Sequence, residues 1–205
     1  MTTPDATSRW EDLGRLIGAA AGVVTLVFGL FSSVLADVVP PVEAMRPAAV
    51  TGLASLVALV ILLVLALVMR RRLTLAQRPR VALAAGAAAL AGLALCYVHY
   101  GDLGRYAFRW PDEPTAPRHL RGEYNETGQQ MTRDMSLVAA ITAMGGLDQV
   151  RRMNLLWEED SRREVERRLV VQYVVLTSLF AGALFGLALA VRASSGRTTA
   201  KSPPT

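Results

Sequence analysis

Four stretches of this chain, residues 16–36, 48–69, 81–100 and 169–191, contain no Asp, Glu, Lys or Arg. Each is about twenty residues long, the length a helix rising about 1.5 Å per residue needs to cross a hydrocarbon core. Burying four such blocks in a water-soluble fold of 205 residues would leave little chain to cover them. The expected fold class is therefore an all-α integral membrane protein with four transmembrane helices. Composition agrees, with 52% hydrophobic and only 19% charged residues. Span edges carry breaking or charged residues: Asp37 and Pro40-Pro41 after the first, Pro47 before the second, and Arg80 before the third.

Orientation follows from where the arginines fall in the short connections, because positively charged loops resist translocation. Arg70, Arg71, Arg72, Arg78 and Arg80 crowd residues 70–80, whereas the connection at 37–47 offers Arg46 beside Asp37 and Glu43. The 70–80 loop is thus expected in the cytoplasm and the 37–47 loop outside. An even number of spans puts residues 1–15 and the Ser/Thr/Pro-containing tail 192–205 inside as well, the tail reading as disordered. The expected location is the inner (plasma) membrane, multi-pass, with both termini cytoplasmic. Val34-Leu35-Ala36 also resembles a signal-cleavage site, and cleavage there would leave three spans in the same orientation. Arginine supplies all but one of the basic residues, a bias typical of GC-rich bacterial genomes.

Small residues recur every four positions in three spans: Gly14, Gly18 and Gly22; Ala88 and Gly92; Gly182, Gly186 and Ala190. Lipid tails are as apolar as leucine, so membrane helices associate by close van der Waals contact that small side chains permit. These positions are the expected helix-packing seams. The second span, rich in Leu, Val and Ala, is expected to be the most lipid-exposed. No carboxylate, lysine or arginine lies near the middle of any span, which disfavours ion-coupled transport. The hydroxyls of Thr25, Ser32, Ser33, Thr177 and Ser178 can bond to their own helix carbonyls, and Gln172 lies near the outer end of the fourth span.

Residues 101–168 form the one sizeable non-membrane segment, expected to be helical and extracytoplasmic, with 11 arginines against 12 carboxylates. Its start, 101–117, holds Tyr106, Phe108 and Trp110 among prolines and reads as an irregular connection without an ordered strand. Residues 118–127 read as a polar turn, in which Asn125-Glu126-Thr127 fits a glycosylation pattern expected to be unmodified. A helical pattern begins at Gly128 and runs into the apolar stretch 137–144, too short to span and interrupted by Gly145-Gly146. From Leu147 to Phe180 there is neither glycine nor proline. One continuous helix entering the fourth span is expected there, with Asp148–Arg152, Glu158–Arg162, Glu159–Arg163 and Glu164–Arg168 pairs four apart. Val150, Met153 and Trp157 share one face of that helix and need a partner: residues 137–144 folded back, another copy, or a different protein.

The charge of +5 is distributed as membrane topology would place it, so no nucleic-acid partner is expected. Cys96 is alone, and His99, Asp102, His119 and Glu123 lack zinc-ligand spacing, so no cofactor, metal or catalytic residues are expected. The expected function is non-enzymatic, exerted through helix association: an assembly or signalling component whose outer segment meets a partner, working as a homo-oligomer or with another membrane protein. The alternatives are an oligomeric channel or permeabilising effector, which would release dye from liposomes, and a membrane-embedded enzyme using His99 and Asp102.

Overall fold

The computed structural model describes residues 6–33, 47–70, 77–111, 118–158 and 160–195. Pro40-Pro41, Val34-Leu35-Ala36, Arg71, Arg72, Glu159 and the tail beyond Ser195 lie outside them. Elements follow in the order α1 (Ala6–Ser33), α2 (Pro47–Arg70), α3 (Arg78–Tyr106), β1 (Ala107–Arg109), β2 (Arg118–Leu120), α4 (Glu126–Asp134), α5 (Leu137–Ala143), α6 (Leu147–Met153) and α7 (Ser161–Ser195). The protein is mostly helical. Among the described residues, three helices are long and apolar enough to cross a membrane, over Val50–Val68, Pro79–Tyr106 and Ser161–Ala190, while α1 carries a shorter apolar stretch, Ile17–Gly29.

The chain forms two compact units. The first comprises Met1–Val34, Gly52–Cys96 and Val174–Thr205. In it α2 buries Ala54, Ala58, Leu62 and Ala66, a stripe at intervals of four, while Leu53, Leu56, Val60, Val64 and Leu67 stay exposed. The second span was expected to be the most lipid-exposed, but over an apolar 18-residue stretch of each helix 17% of α3 is buried against 22% of α2. The small side chain on α2's inward face is alanine rather than glycine. Leu83, Leu90 and Leu93 of α3 are also exposed, an apolar exterior suited to lipid rather than water. Thr177 Oγ1 donates to Val174 O at 3.1 Å, so this hydroxyl does bond within its own helix.

The second unit comprises Leu35–Thr51 and Tyr97–Tyr173. Here the structure corrects three expectations. Residues 107–109 are not irregular but pair antiparallel with 118–120, Ala107 opposite Leu120, Phe108 opposite His119, and Arg109 opposite Arg118. The helix expected to run unbroken from Leu147 ends at Met153, capped by Asn154 in the left-handed region (φ 47°), and a new helix starts at Ser161. Between them Trp157 forms an antiparallel bridge with Tyr124, closed by Asn125 N–H to Leu156 O at 3.1 Å and Glu158 N–H to Glu123 O at 3.0 Å. Asparagine tolerates that backbone well, and the paired backbone groups offset the helix bonds given up. Finally, among the described residues the ion pairs at the start of α7 sit three apart, Arg163 with Asp160 just before the helix and Arg167 with Glu164 within it.

Two cores hold this unit. Leu103, Tyr106, Leu120, Val165 and Leu169 join the end of α3, β2 and the start of α7. Ala140, Ile141, Leu147, Val150, Leu156 and Trp157 form the other, around α5 and α6. The α5–α6 turn at Gly145 (φ 85°) and Gly146 (φ 101°) requires a backbone that glycine adopts without strain, as its interruption of the apolar run predicts.

Candidate functional site

The residues expected to form helix seams separate into three kinds. A methyl on Gly92 would meet the Phe180 ring at 3.2 Å, and one on Gly186 would meet Ala85 Cβ at 3.2 Å, so both already serve close packing inside the chain. Gly14, Gly18 and Gly22 face open space. Ala88 and Gly182 line an apolar groove of about 240 Å³ among α2, α3 and α7, together with Ala84, Ser178 and Leu189. A methyl on Gly182 would meet nothing within 4 Å, so the groove is open there. Ser178 Oγ is buried with no hydrogen-bond partner among the described residues. Ala190 is half-buried. Of the topology arginines, Arg70 ends α2, Arg78 opens α3, and Arg80 is exposed.

The face expected to bind a partner does not survive as one surface. Val150 and Trp157 are buried in the chain's own α5–α6 core, and Met153 alone of the three is exposed, at 63%. The stripe's partner is therefore the 137–144 segment folded back, the first of the three options its sequence leaves open.

Polar residues concentrate where α3 and α7 meet the rest of the second unit. His99, fully buried, lies 3.0 Å from Gln172 Oε1 through Nδ1, and Gln172 Nε2 donates to Asp102 Oδ2 at 2.8 Å. A carboxylate only accepts, so the amide's NH₂ end faces Asp102, its carbonyl faces His99, and the proton sits on His99 Nδ1. An amide between imidazole and carboxylate passes no proton, so the arrangement ties two helices rather than forming an acid–base dyad. Such interhelical bonds stabilise membrane helix pairs by roughly 0.6 to 2 kcal/mol.

A second set fixes the end of α3. Arg121 donates through Nε and Nη2 to Arg105 O at 2.9 and 2.6 Å, supplying partners for a last-turn carbonyl that the helix leaves open. The Tyr106 hydroxyl donates to Glu123, which also pairs with Arg105 at 3.4 Å. Asn125 then organises the next junction. Its Oδ1 accepts from Gly128 N–H at 2.8 Å as the cap of α4, and its Nδ2 donates to the carbonyls of Asn154 and Leu155 at 2.9 and 3.2 Å. The amide that a glycan would need is thus engaged in the fold. An Asn immediately before a helical run is a capping signal legible in sequence.

The two faces of the β1–β2 pair differ. Phe108 and His119 turn toward Trp157, with the Phe108 ring 5.9 Å from His119 and 6.0 Å from Trp157. His119 is buried, and Arg151 Nη2 lies 2.9 Å from its Nδ1 in the wall of a polar recess shared with Trp110 and Asp148. Arg109 and Arg118 line a cleft of about 360 Å³ with Tyr100 and Gly104, which Phe108 also borders. His99 and His119 thus enter different networks. Among the described residues no three His, Cys, Asp or Glu side chains gather as a metal site. Comparison with known protein families, curated proteins and solved structures finds no match.

Proposed function

We propose that this chain is a four-span inner-membrane protein that acts by helix association, with α1 as the additional span, the arginine-rich 70–80 loop and both termini in the cytoplasm, and the second unit's folded segment outside. The reading is non-enzymatic: an assembly or signalling component. What carries it is the open groove at Gly182. Gly92 and Gly186 are already in contact within the chain, while Ala84, Ala88 and Gly182 leave a slot of about 240 Å³ whose walls are almost wholly apolar. Lipid chains fill such slots without specificity, whereas another transmembrane helix gains close backbone approach. The occupant is a transmembrane helix of another copy or of a partner membrane protein. The stripe on the outer segment is consumed by its own fold, so this segment meets partners as a preformed body rather than as a lone amphipathic helix.

The test is a pair of substitutions. Gly182→Leu enters the groove from a Cβ position with nothing within 4 Å, so it is expected to lower association at least tenfold, read by energy transfer between labelled copies in vesicles, or by loss of co-purifying partner. Melting temperature should be unchanged. Gly186→Leu meets Ala85 inside the chain and is expected to lower the melting temperature itself. Unaltered association and partner retention in Gly182→Leu would refute the reading. Orientation has its own check: a reporter fused after Thr127 should be active only outside the cytosol.

A further inference from the structure

On the proposed reading of four spans and a helix-binding groove at Gly182, charge selects the helix that fills it. Alternating spans put the start of α1, the end of α2, the start of α3 and the end of α7 on one side of the membrane, and every copy is inserted the same way round. A helix from a second copy therefore brings its own end on that side against the matching end of the groove. There the groove is headed by Arg80, exposed one residue before Val81 on α3, and followed on α7 by Arg192 beyond Leu189. Residues 70–80 and 192–205 hold eight basic residues and no Asp or Glu, whereas 1–15 holds Asp5, Glu11 and Asp12 beside Arg9 and Arg15. A second copy's α2, α3 or α7 would set arginine against arginine at this edge. Only α1 brings carboxylates to it.

The faces of α1 agree with that choice. It packs within its own unit through Ala20 and Val27, which are 0% and 1% exposed. At about 100° per residue, the opposite side of the helix carries Glu11, Gly14, Gly18, Gly22 and Thr25, spaced three or four apart. Gly14, Gly18, Gly22 and Thr25 are exposed, and a methyl on any of these glycines would meet nothing within 4 Å. The small-residue face of α1 thus points away from its own chain. On α3, Arg80, Ala84 and Ala88 recur every four residues, and the two alanines line the groove. Gly14 and Gly18 lie about 5 and 11 Å of rise beyond Glu11, and Ala84 and Ala88 about 6 and 12 Å beyond Arg80. Two rows of small residues, headed by opposite charges, therefore match in depth, with Gly182 as the further wall that admits a close backbone. We infer that the groove takes α1 of a second copy, Gly18 against Ala88 and Glu11 against Arg80. Each copy carries both halves of this contact, so the pairing closes reciprocally in a dimer or continues around a ring.

Disulfide trapping tests it with the full chain carrying Cys96→Ala, reconstituted in phosphatidylcholine vesicles as a mixture of two differently tagged copies. Gly18→Cys under one tag and Ala88→Cys under the other should cross-link at least tenfold faster than Gly18→Cys with Leu90→Cys, a 69% exposed position outside the groove, about 3 Å further along α3. Gly18→Leu should weaken association at least tenfold, read by energy transfer between labelled copies, while the melting temperature stays at the parent's. Glu11→Arg and Arg80→Glu should each weaken association several-fold and, combined in one chain, restore it, which damage to folding would not do. Cross-linking no faster than with Leu90→Cys, or unaltered association in Gly18→Leu, would overturn the inference. Gly182→Leu separates the two failures. If it weakens association or partner retention while Gly18→Leu does not, the groove holds a different helix and only this occupant is lost. If neither variant alters either measurement, the groove reading is lost as well.

Discussion

Gly128→Ala is expected to destabilise the second unit by about 3 kcal/mol, at the upper end of what overpacking costs. Inside a helix that substitution ordinarily stabilises by up to about 1 kcal/mol, because glycine loses more backbone entropy on folding. Here the sign reverses. A Cβ on Gly128 would lie 2.1 Å from Leu156 O and 2.9 Å from its carbonyl carbon. That carbonyl has little freedom to retreat, since it accepts from Asn125 N–H in the bridge between Tyr124 and Trp157. Moving either partner also pulls Gly128 N–H away from the Asn125 cap. Trp157 and Leu156 then lose their places in the α5–α6 core. Thermal unfolding followed by tryptophan fluorescence in detergent should show an early transition, with protease sensitivity appearing between residues 124 and 160. A melting temperature at or above the parent's would show that the backbone yields.

Gln172→Leu is the second large effect, about 2 kcal/mol. Leucine matches glutamine in size but accepts nothing from His99 Nδ1 and donates nothing to Asp102. His99 is fully buried, and removing one partner of a buried polar group costs about 1 to 3 kcal/mol in unpaired desolvation. Gln172→Glu makes a sharper comparison. It still accepts from His99, yet it presents a carboxylate to the carboxylate of Asp102, so it should be destabilised at neutral pH and recover as pH falls and one of the two acids takes up a proton. Melting curves against pH separate the variants: a flat deficit for leucine, a pH-dependent one for glutamate. Parent-like stability for both would mean that this bridge carries no weight.

These residues also show what a sequence can and cannot reveal. The three long helices are legible because a charge-free block of about twenty residues has few other uses. Gly145-Gly146 is legible as a break because glycine adopts the positive φ of the turn so readily. The break at Asn154 is not, since residues 147–168 keep a helical charge ladder, and what ends the helix is a backbone partner thirty residues earlier, at Tyr124. Three-residue strands are likewise too short to establish an alternating pattern, so β1 reads as irregular chain. Val150 and Trp157 are apolar at helical spacing whether the surface they cover is another protein or the preceding helix. The alanine stripe on α2 is written in the sequence, but alanine is so common in these helices that Ala54, Ala58 and Ala66 do not stand out from Ala48 or Ala49.

The alternation of the short β pair has one more consequence. Sliding β1 by a single position against β2 would swing Arg109 toward Trp157 and send Phe108 into water, because neighbouring side chains on a strand point to opposite faces. An unpaired guanidinium beside that tryptophan would be far costlier than the few hydrogen bonds of the pair are worth. Three residues per strand therefore suffice to lock a single alignment, and errors of threading at this corner are rejected by charge rather than by the length of the ladder.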